Sequence, residues 1–410
     1  MPRASRAQTQ APASSTRIDL DQAIQIAIAH NHALKAAHTL IDQSKAQEIT
    51  AGIRPNPVFT YDDLFIPLFS PGQFNSTTLN NVTEFDLGAS YTFERGHKRQ
   101  RRIEAARDQT AVTQSQISDN ERALTFNVAQ QFLAVLLAKS NLDLAAQNLK
   151  SFQDTLDISG ARLKAGSMSE DDFLKIKLQM LQFQTDVSSA ELGLIQAMSS
   201  LRGLLGYDAV PANYDVAGDL TYTPLHLNRE DLQAMAIGLR PDLLAAKQGV
   251  TAAGSQYQLA KANGKRNLTT TLDYSHVAAI NSLGFLLSME IPIFDRNQGE
   301  IARTHFAITQ SQELKTAAEE TVMTDVATAY EAAKTGDQVV ELYQSGYLKQ
   351  GQESRDISEY AYKRGAASLL DFLDAERSYR ATQLAYRQAL ATDMLALEQL
   401  REAVGTRKLP

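Results

Sequence analysis

The sequence predicts a mainly α chain built as two tandem repeats, each joining a β-hairpin to a long antiparallel helical hairpin. Three observations predict it. Apolar residues recur in heptads over a stretch far longer than an ordinary helix, at Val128, Val135, Leu142, Leu149, Leu156 and Leu163. Other segments alternate as strands do: Phe85, Leu87, Ala89, Tyr91 and Phe93 fall on one face, Asp86, Gly88, Ser90 and Thr92 on the other. Landmarks also recur at an offset near 200. Phe93 and Phe294 differ by 201, Val128 and Val326 by 198, and Gly166 and Gly365 by 199. Asp172-Phe173-Leu174 and Asp371-Phe372-Leu373 also differ by 199, so strand, break, heptad phase and turn imply a duplication.

Composition narrows the chemistry. With no cysteine, the 410 residues contain no disulfide, thiolate site or cysteine nucleophile. A formal charge of −7 argues against nucleic-acid binding. No apolar run reaches the roughly 18–20 residues of a membrane-spanning helix. The mean hydropathy of −0.28 reads as soluble, but transmembrane strands alternate and barely register on that scale.

Residues 1–18 read as a disordered leader without an apolar core. The first repeat covers 19–203. Asp19 caps a helix from Leu20 to Ile53, which Arg54-Pro55-Asn56-Pro57 stops. A β-hairpin occupies 58–93, with strands Val58–Ile66 and Val82–Phe93 around a Pro, Gly, Ser, Thr and Asn loop. A helix of roughly 65 residues, about 100 Å long, follows from Lys98 to Lys164. The tip is at 165–169, and the return helix carries an a/d seam through Phe173, Ile176, Met180, Phe183 and Val187.

Residues 204–228 read as an irregular connector. The second repeat covers 229–404: a helix to Ala262, a β-hairpin at 267–293, a helix from Gly299 to Lys363, a tip at 364–368, and a return helix to Val404. Residues 405–410 are a tail. Within the second hairpin, Val277–Leu283 reads as the loop. Phe285, Leu287, Met289, Ile291 and Ile293 then share one strand face before Pro292 and Asp295-Arg296-Asn297 turn the chain into helix.

Four strands of bilayer-crossing length cannot close a barrel. Open edges in lipid leave backbone groups unpaired at several kcal/mol each. If the strands face lipid, three copies give 12 strands, an even number that leaves a lumen.

Over essentially its full length the chain resembles the TolC family of outer-membrane efflux factors. The resemblance is carried by Arg54-Pro55-Asn56-Pro57, Arg240-Pro241-Asp242-Leu243, Ile291-Pro292-Ile293-Phe294-Asp295-Arg296-Asn297-Gln298-Gly299-Glu300, and Gly365-x-x-Ser368-x-x-Asp371-x-Leu373-Asp374-Ala375. The stretch around Pro292–Glu300 is most similar to the CzcC-like heavy-metal branch. The resemblance implies a homotrimer: a 12-stranded outer-membrane β-barrel above a periplasmic α-barrel of coiled-coil helices. It implies passive conduction for an inner-membrane resistance–nodulation–division pump, reached through a periplasmic adaptor. The connector and tail would form an equatorial belt.

The candidate site residues lie at the tips. Asp371 and Asp374 share one helix face. The resemblance places them in an acidic periplasmic aperture, which would favour cations; an ordinary helix start also suits Asp. Gly166, Ser169, Gly365 and Ser368 suit turns and helix caps, and the resemblance adds contact with adaptor hairpins. The only histidine cluster, His30, His32 and His38, lacks metal-ligand spacing and reads as a solvated face. Neither a metal site nor a cofactor is expected, and no nucleotide-binding or hydrolase motif points to an enzyme. The alternatives are a duct for organic compounds or antibiotics and, in a different class, a coiled-coil structural protein without transport.

Overall fold

The computed structural model describes residues 16–410. The first 15 residues of the expected leader lie outside the described residues. The leader's last part is ordered: Arg17–Ile18 is a strand (β1) paired in parallel with Asp215–Val216.

The expected helix over Leu20–Ile53 is two helices, α1 (Leu20–His30) and α2 (His32–Gly52). Asn31 between them is extended, with ψ 118. Its side chain donates to the Leu204 carbonyl at 3.2 Å and accepts from the Leu34 N–H at 3.0 Å. Strand β2 (Val58–Leu64) follows. The loop after it contains a 3-10 turn at Pro71–Gln73 and a short helix, α3 (Ser76–Asn81), capped by Asn75. Strand β3 is Glu84–Phe93, α4 is Lys98–Lys164 and α5 is Glu170–Leu205. The connector is not wholly irregular, since it holds β4 (Asp215–Val216).

The helix expected from Arg229 to Ala262 also divides, into α6 (Arg229–Leu239) and α7 (Pro241–Asn263). Pro241 has no N–H to continue α6 and suits the first turn of α7. Strands β5 (Leu268–Val277) and β6 (Ile280–Ser288) meet in a two-residue turn, not the expected loop over Val277–Leu283, and β6 ends before Met289, Ile291 and Ile293, which the expected strand included. Ala278 and Ala279 have φ of 49 and 64. Alanine there gives no turn signal, because Asn-Gly is the usual occupant; Ala279 is held instead by its N–H on the Asn80 carbonyl, at 2.9 Å. Helix α8 (Gln298–Leu342) continues through a π-helical turn at Tyr343–Tyr347 into α9 (Leu348–Lys363). Gly346 in that turn has φ 140, so the expected unbroken helix is interrupted. Helix α10 is Leu369–Val404.

The four long strands form one antiparallel sheet in the order β2-β3-β5-β6. Its register separates two faces. Phe59, Ala89, Leu272 and Phe285 lie side by side, as do Tyr61, Leu87, Tyr274 and Leu283, on an apolar face. Thr60, Gly88, Asp273 and Gly284, with Asp62, Asp86, Ser275 and Ser282, make the opposite polar face. Among the described residues no helix is long and apolar enough to cross a membrane.

The chain forms two compact units that cut across the sequence repeats. One comprises residues up to Ala37, Ile117–Pro241 and Glu320–Pro410; the other is His38–Gln116 and Asp242–Glu319. The first unit buries Val128, Phe132, Val135, Leu201 and Leu205 against Ile18, Tyr214 and Val216. A separate core near the tips joins Phe152, Ile176, Met180 and Phe183 to Tyr362 and Phe372. Leu142, Leu149, Leu156 and Leu163 of the expected heptad are only half-buried, while Phe152, Thr155 and Ser159 are buried. A helix at 3.6 residues per turn drifts from a seven-residue seam.

Candidate functional site

Both tips close on a left-handed glycine. Gly166 has φ +68 and Gly365 has φ +76. Ser167 N–H bonds the Arg162 carbonyl at 2.9 Å, and Ala366 N–H bonds the Ala361 carbonyl at 2.8 Å, so each glycine ends its helix with a wrapped carbonyl. Serine then starts the return helix. The Ser169 hydroxyl oxygen accepts from the Asp172 N–H at 3.1 Å, and that of Ser368 from the Asp371 N–H at 3.2 Å.

The two tips differ in charge. At the first, Lys175 pairs with Asp171 at 2.5 Å and lies 3.9 Å from Asp172. At the second, Asp371 completes a capping box, accepting from the Ser368 hydroxyl at 2.7 Å and its N–H at 3.1 Å. The Ser368 hydroxyl, then the backbone N–H, hold the exposed Asp371 carboxyl below its ordinary value. Asp374 is exposed, 3.9 Å from Arg377. A groove of about 580 Å³ between the tips brings together Ser169, Gly365 and Ser368 with Arg162, Tyr362 and Leu370. Gly166, Asp371 and Asp374 are not among its lining residues.

Four arginines tie the two helical hairpins together. Arg162 lies over the Tyr362 ring, 5.4 Å from its centroid. Arg355 donates to Ser151 at 2.9 Å and to the buried Glu376 at 3.0 Å. Arg380 pairs with Asp186 and stacks 4.3 Å from the Phe183 ring centroid. Arg387 donates to Ser140 at 3.0 Å. Burial draws the Arg355 guanidinium down, but Asp356, Glu376 and Glu359 hold it above its ordinary value. Sequence reasoning missed these contacts, because partners 194 to 247 residues apart leave no local pattern.

Asp393 was also missed. It is 1% exposed and its Oδ2 has no hydrogen-bond partner. Burial, with Asp337 nearby, pushes its carboxyl up to about 6. Among the described residues, no group of three His, Cys, Asp or Glu is arranged to hold a metal.

The sequence model of the family described as outer membrane efflux protein matches residues 23–207 and 232–406. The chain belongs to this outer membrane efflux protein family. Its members are outer-membrane channels, not enzymes. The pyoverdine export outer membrane protein OpmQ of Pseudomonas putida is 26% identical over 411 residues, covering 94% of this chain and 86% of that protein. The cobalt-zinc-cadmium resistance protein CzcC of Cupriavidus metallidurans is 21% identical over 390 residues, covering 95% and 90%. The cation efflux system protein CusC of Escherichia coli is 26% identical over 318 residues, covering 72% and 67%. A crystal structure of CusC shares the fold with a TM-score of 0.76 at 21% identity, covering 96% of this chain and 94% of that one. This efflux protein therefore has the helix-rich fold of outer-membrane channels.

Proposed function

We propose that this efflux protein is a homotrimeric exit duct, conducting substrate passively from an inner-membrane resistance–nodulation–division pump and its periplasmic adaptor to the exterior. The observation that carries this reading is the four-stranded sheet with two free edges and one apolar face. The strands alternate in direction, so β2 and β6 run antiparallel. The β2 edge of one copy therefore suits the β6 edge of the next, and three copies close a 12-stranded barrel without unpaired backbone. Three sets of helical hairpins would continue it as an α-barrel. The groove between the tips would receive the adaptor, with Gly166, Ser169, Gly365 and Ser368 shaping the contact.

The cargo assigned is heavy-metal cations. Relatives named for cation efflux and for cobalt, zinc and cadmium resistance support it. The polar sheet face also supports it: Asp62 stands opposite Asp86, and Asp273 is diagonal to Asp86. Carboxylates facing a lumen favour cations, and Asp371 with Asp374 would repeat that preference at the aperture. An organic cargo is the second reading, favoured by the relative that exports pyoverdine. A deletion strain tests both. Sensitivity to metal salts, restored by the intact gene, supports the metal duct; sensitivity only to organic compounds supports the second reading. A full-length chain that stays soluble and monomeric after export would overturn the duct itself.

A further inference from the structure

At four places the chain passes between sheet and helices, and basic side chains stitch these crossings into one belt. Lys98 Nζ donates to Asn267 Oδ1 at 2.7 Å, joining the end of β3 to the start of β5. Arg95 reaches Met289 Sδ at 3.1 Å, beyond β6. Arg102 donates to the Ile53 carbonyl at 3.2 Å, before β2. Arg266 pairs with Glu290 at 3.3 Å and Asp295 at 3.6 Å. Gly96, at φ +74, is needed because a Cβ there would meet Lys265 Cγ at 2.6 Å. Stitching alone does not account for the charge. Residues 54, 94–104, 264–267 and 290–303 hold ten Lys and Arg against five Asp and Glu, a surplus of five in a chain whose net charge is −7.

Several of these charges remain uncompensated. Among the described residues, Arg54, Arg95, Lys265 and Arg296 are exposed and have no carboxylate within 4.0 Å in the ion pairs described, whereas Lys98 and Arg99 lie in the field of Glu94. The first turn of α4 carries Lys98, Arg99 and Arg101 and no acidic residue, so side-chain charge adds to the positive end of the helix dipole. Burial holds the Lys98 ammonium below its ordinary value; Glu94 and Glu290 oppose that shift, while Arg266 and Arg102 add to it. The belt also abuts an exposed apolar band. Phe93, 50% exposed, precedes Arg95 by two residues, and Phe294, 90% exposed, precedes Arg296 by two. An apolar rim beside a band of cations matches the interface of a bilayer.

We propose that this belt binds the phosphates of anionic phospholipids in the periplasmic leaflet of the outer membrane, fixing the depth of the barrel. The inference rests on the reading of the sheet as a lipid-facing barrel. A lipid is the assigned source of the phosphate because the cations border the apolar face of the sheet, where a head group can meet the charge while its acyl chains cover Phe93 and Phe294.

The purified trimer is tested in phosphatidylcholine alone and in phosphatidylcholine with phosphatidylglycerol, reading thermal stability and the lipids retained in native mass spectrometry. Phosphatidylglycerol is expected to raise the melting temperature and remain bound. The triple variant Arg54→Gln, Lys265→Gln, Arg296→Gln is expected to lose most of the shift. Each lost cation weakens association about fivefold, about two orders of magnitude for three. A control triple, Lys177→Gln, Lys334→Gln, Lys349→Gln, removes the same charge elsewhere and is expected to keep the shift. Equal stabilisation by both lipids, an undiminished shift in the belt variant, or the same effect from inorganic phosphate overturns the proposal. Failure to form a membrane trimer at all overturns the duct reading instead, and is seen before any lipid is added.

Discussion

The guanidinium of Arg162 covers the ring of Tyr362 at 5.4 Å and donates to its carbonyl at 3.4 Å, joining the end of one helical hairpin to the end of the other. The Tyr362 ring also stacks on Phe372, with centroids 5.3 Å apart and planes 8° from parallel. A cation over an aromatic ring contributes about 1 kcal/mol. Arg162→Ala is therefore expected to raise local opening of the tips about fivefold, read by hydrogen exchange over Leu348–Lys363 in the intact protein. Unchanged exchange would show that the contact has no mechanical role.

Charge and cap are separable at the second tip. Asparagine at Asp371 keeps an acceptor for Ser368 but loses the charge. Asp371→Asn with Asp374→Asn is expected to reduce cation selectivity in single-channel recordings while trimers form normally. Ser368→Ala removes the cap and is expected to cost about 1 kcal/mol of stability with selectivity retained. Unaltered selectivity in the double variant would remove these carboxylates from the aperture.

Asp393 predicts an inverted pH dependence. Its folded-state value of about 6 lies above the ordinary 3.8, so the folded chain prefers the protonated form. Its contribution is fully present below pH 3.8 and is lost as pH rises through 6, so that about 3 kcal/mol of stability has gone by neutral pH. Asp393→Asn is expected to flatten the melting curve between pH 4 and 7, measured by calorimetry. A variant with the slope of the parent would exclude Asp393 as its source.

Gly88 is a steric requirement of the polar sheet face. A Cβ at this position would collide with the Thr60 hydroxyl and lie 3.2 Å from Asp273 Oδ1. Gly284, at the same level, has its nearest such neighbour at 3.7 Å, the Asp273 carbonyl. Gly88→Val is expected to cost about 1–3 kcal/mol through overpacking and to reduce the heat-modifiable trimer on gels, with Gly284→Ala milder. Equal behaviour of the two variants would contradict this crowding.

Gly365 tests docking at the tip. Its φ of +76 disfavours any side chain, and no atom lies within 4 Å of a Cβ there. Gly365→Glu is expected to leave membrane insertion intact and to abolish efflux in the deletion strain. Full resistance in that variant would argue against adaptor contact at this tip.

The sequence by itself determined the features that local chemistry controls. Glycine needed for a left-handed turn and serine for a cap mark both tips, and period-two alternation separates the sheet faces. Where the determinant is distant, the sequence was silent. Asn31 breaks a helix because its amide finds Leu204, and Ala278-Ala279 turns because α3 supplies a carbonyl. Gly346 interrupts the second long helix, although glycine within a helical pattern need not do so. Arg355, Arg380 and Arg387 look like solvated helix charges until packing brings Ser151, Asp186 and Ser140 beside them. Nor does the local pattern around Asp393 distinguish an exposed carboxylate from one buried without a partner. Tertiary structure decided these points because burial and pairing depend on which helix lies alongside, and that is set by the whole chain.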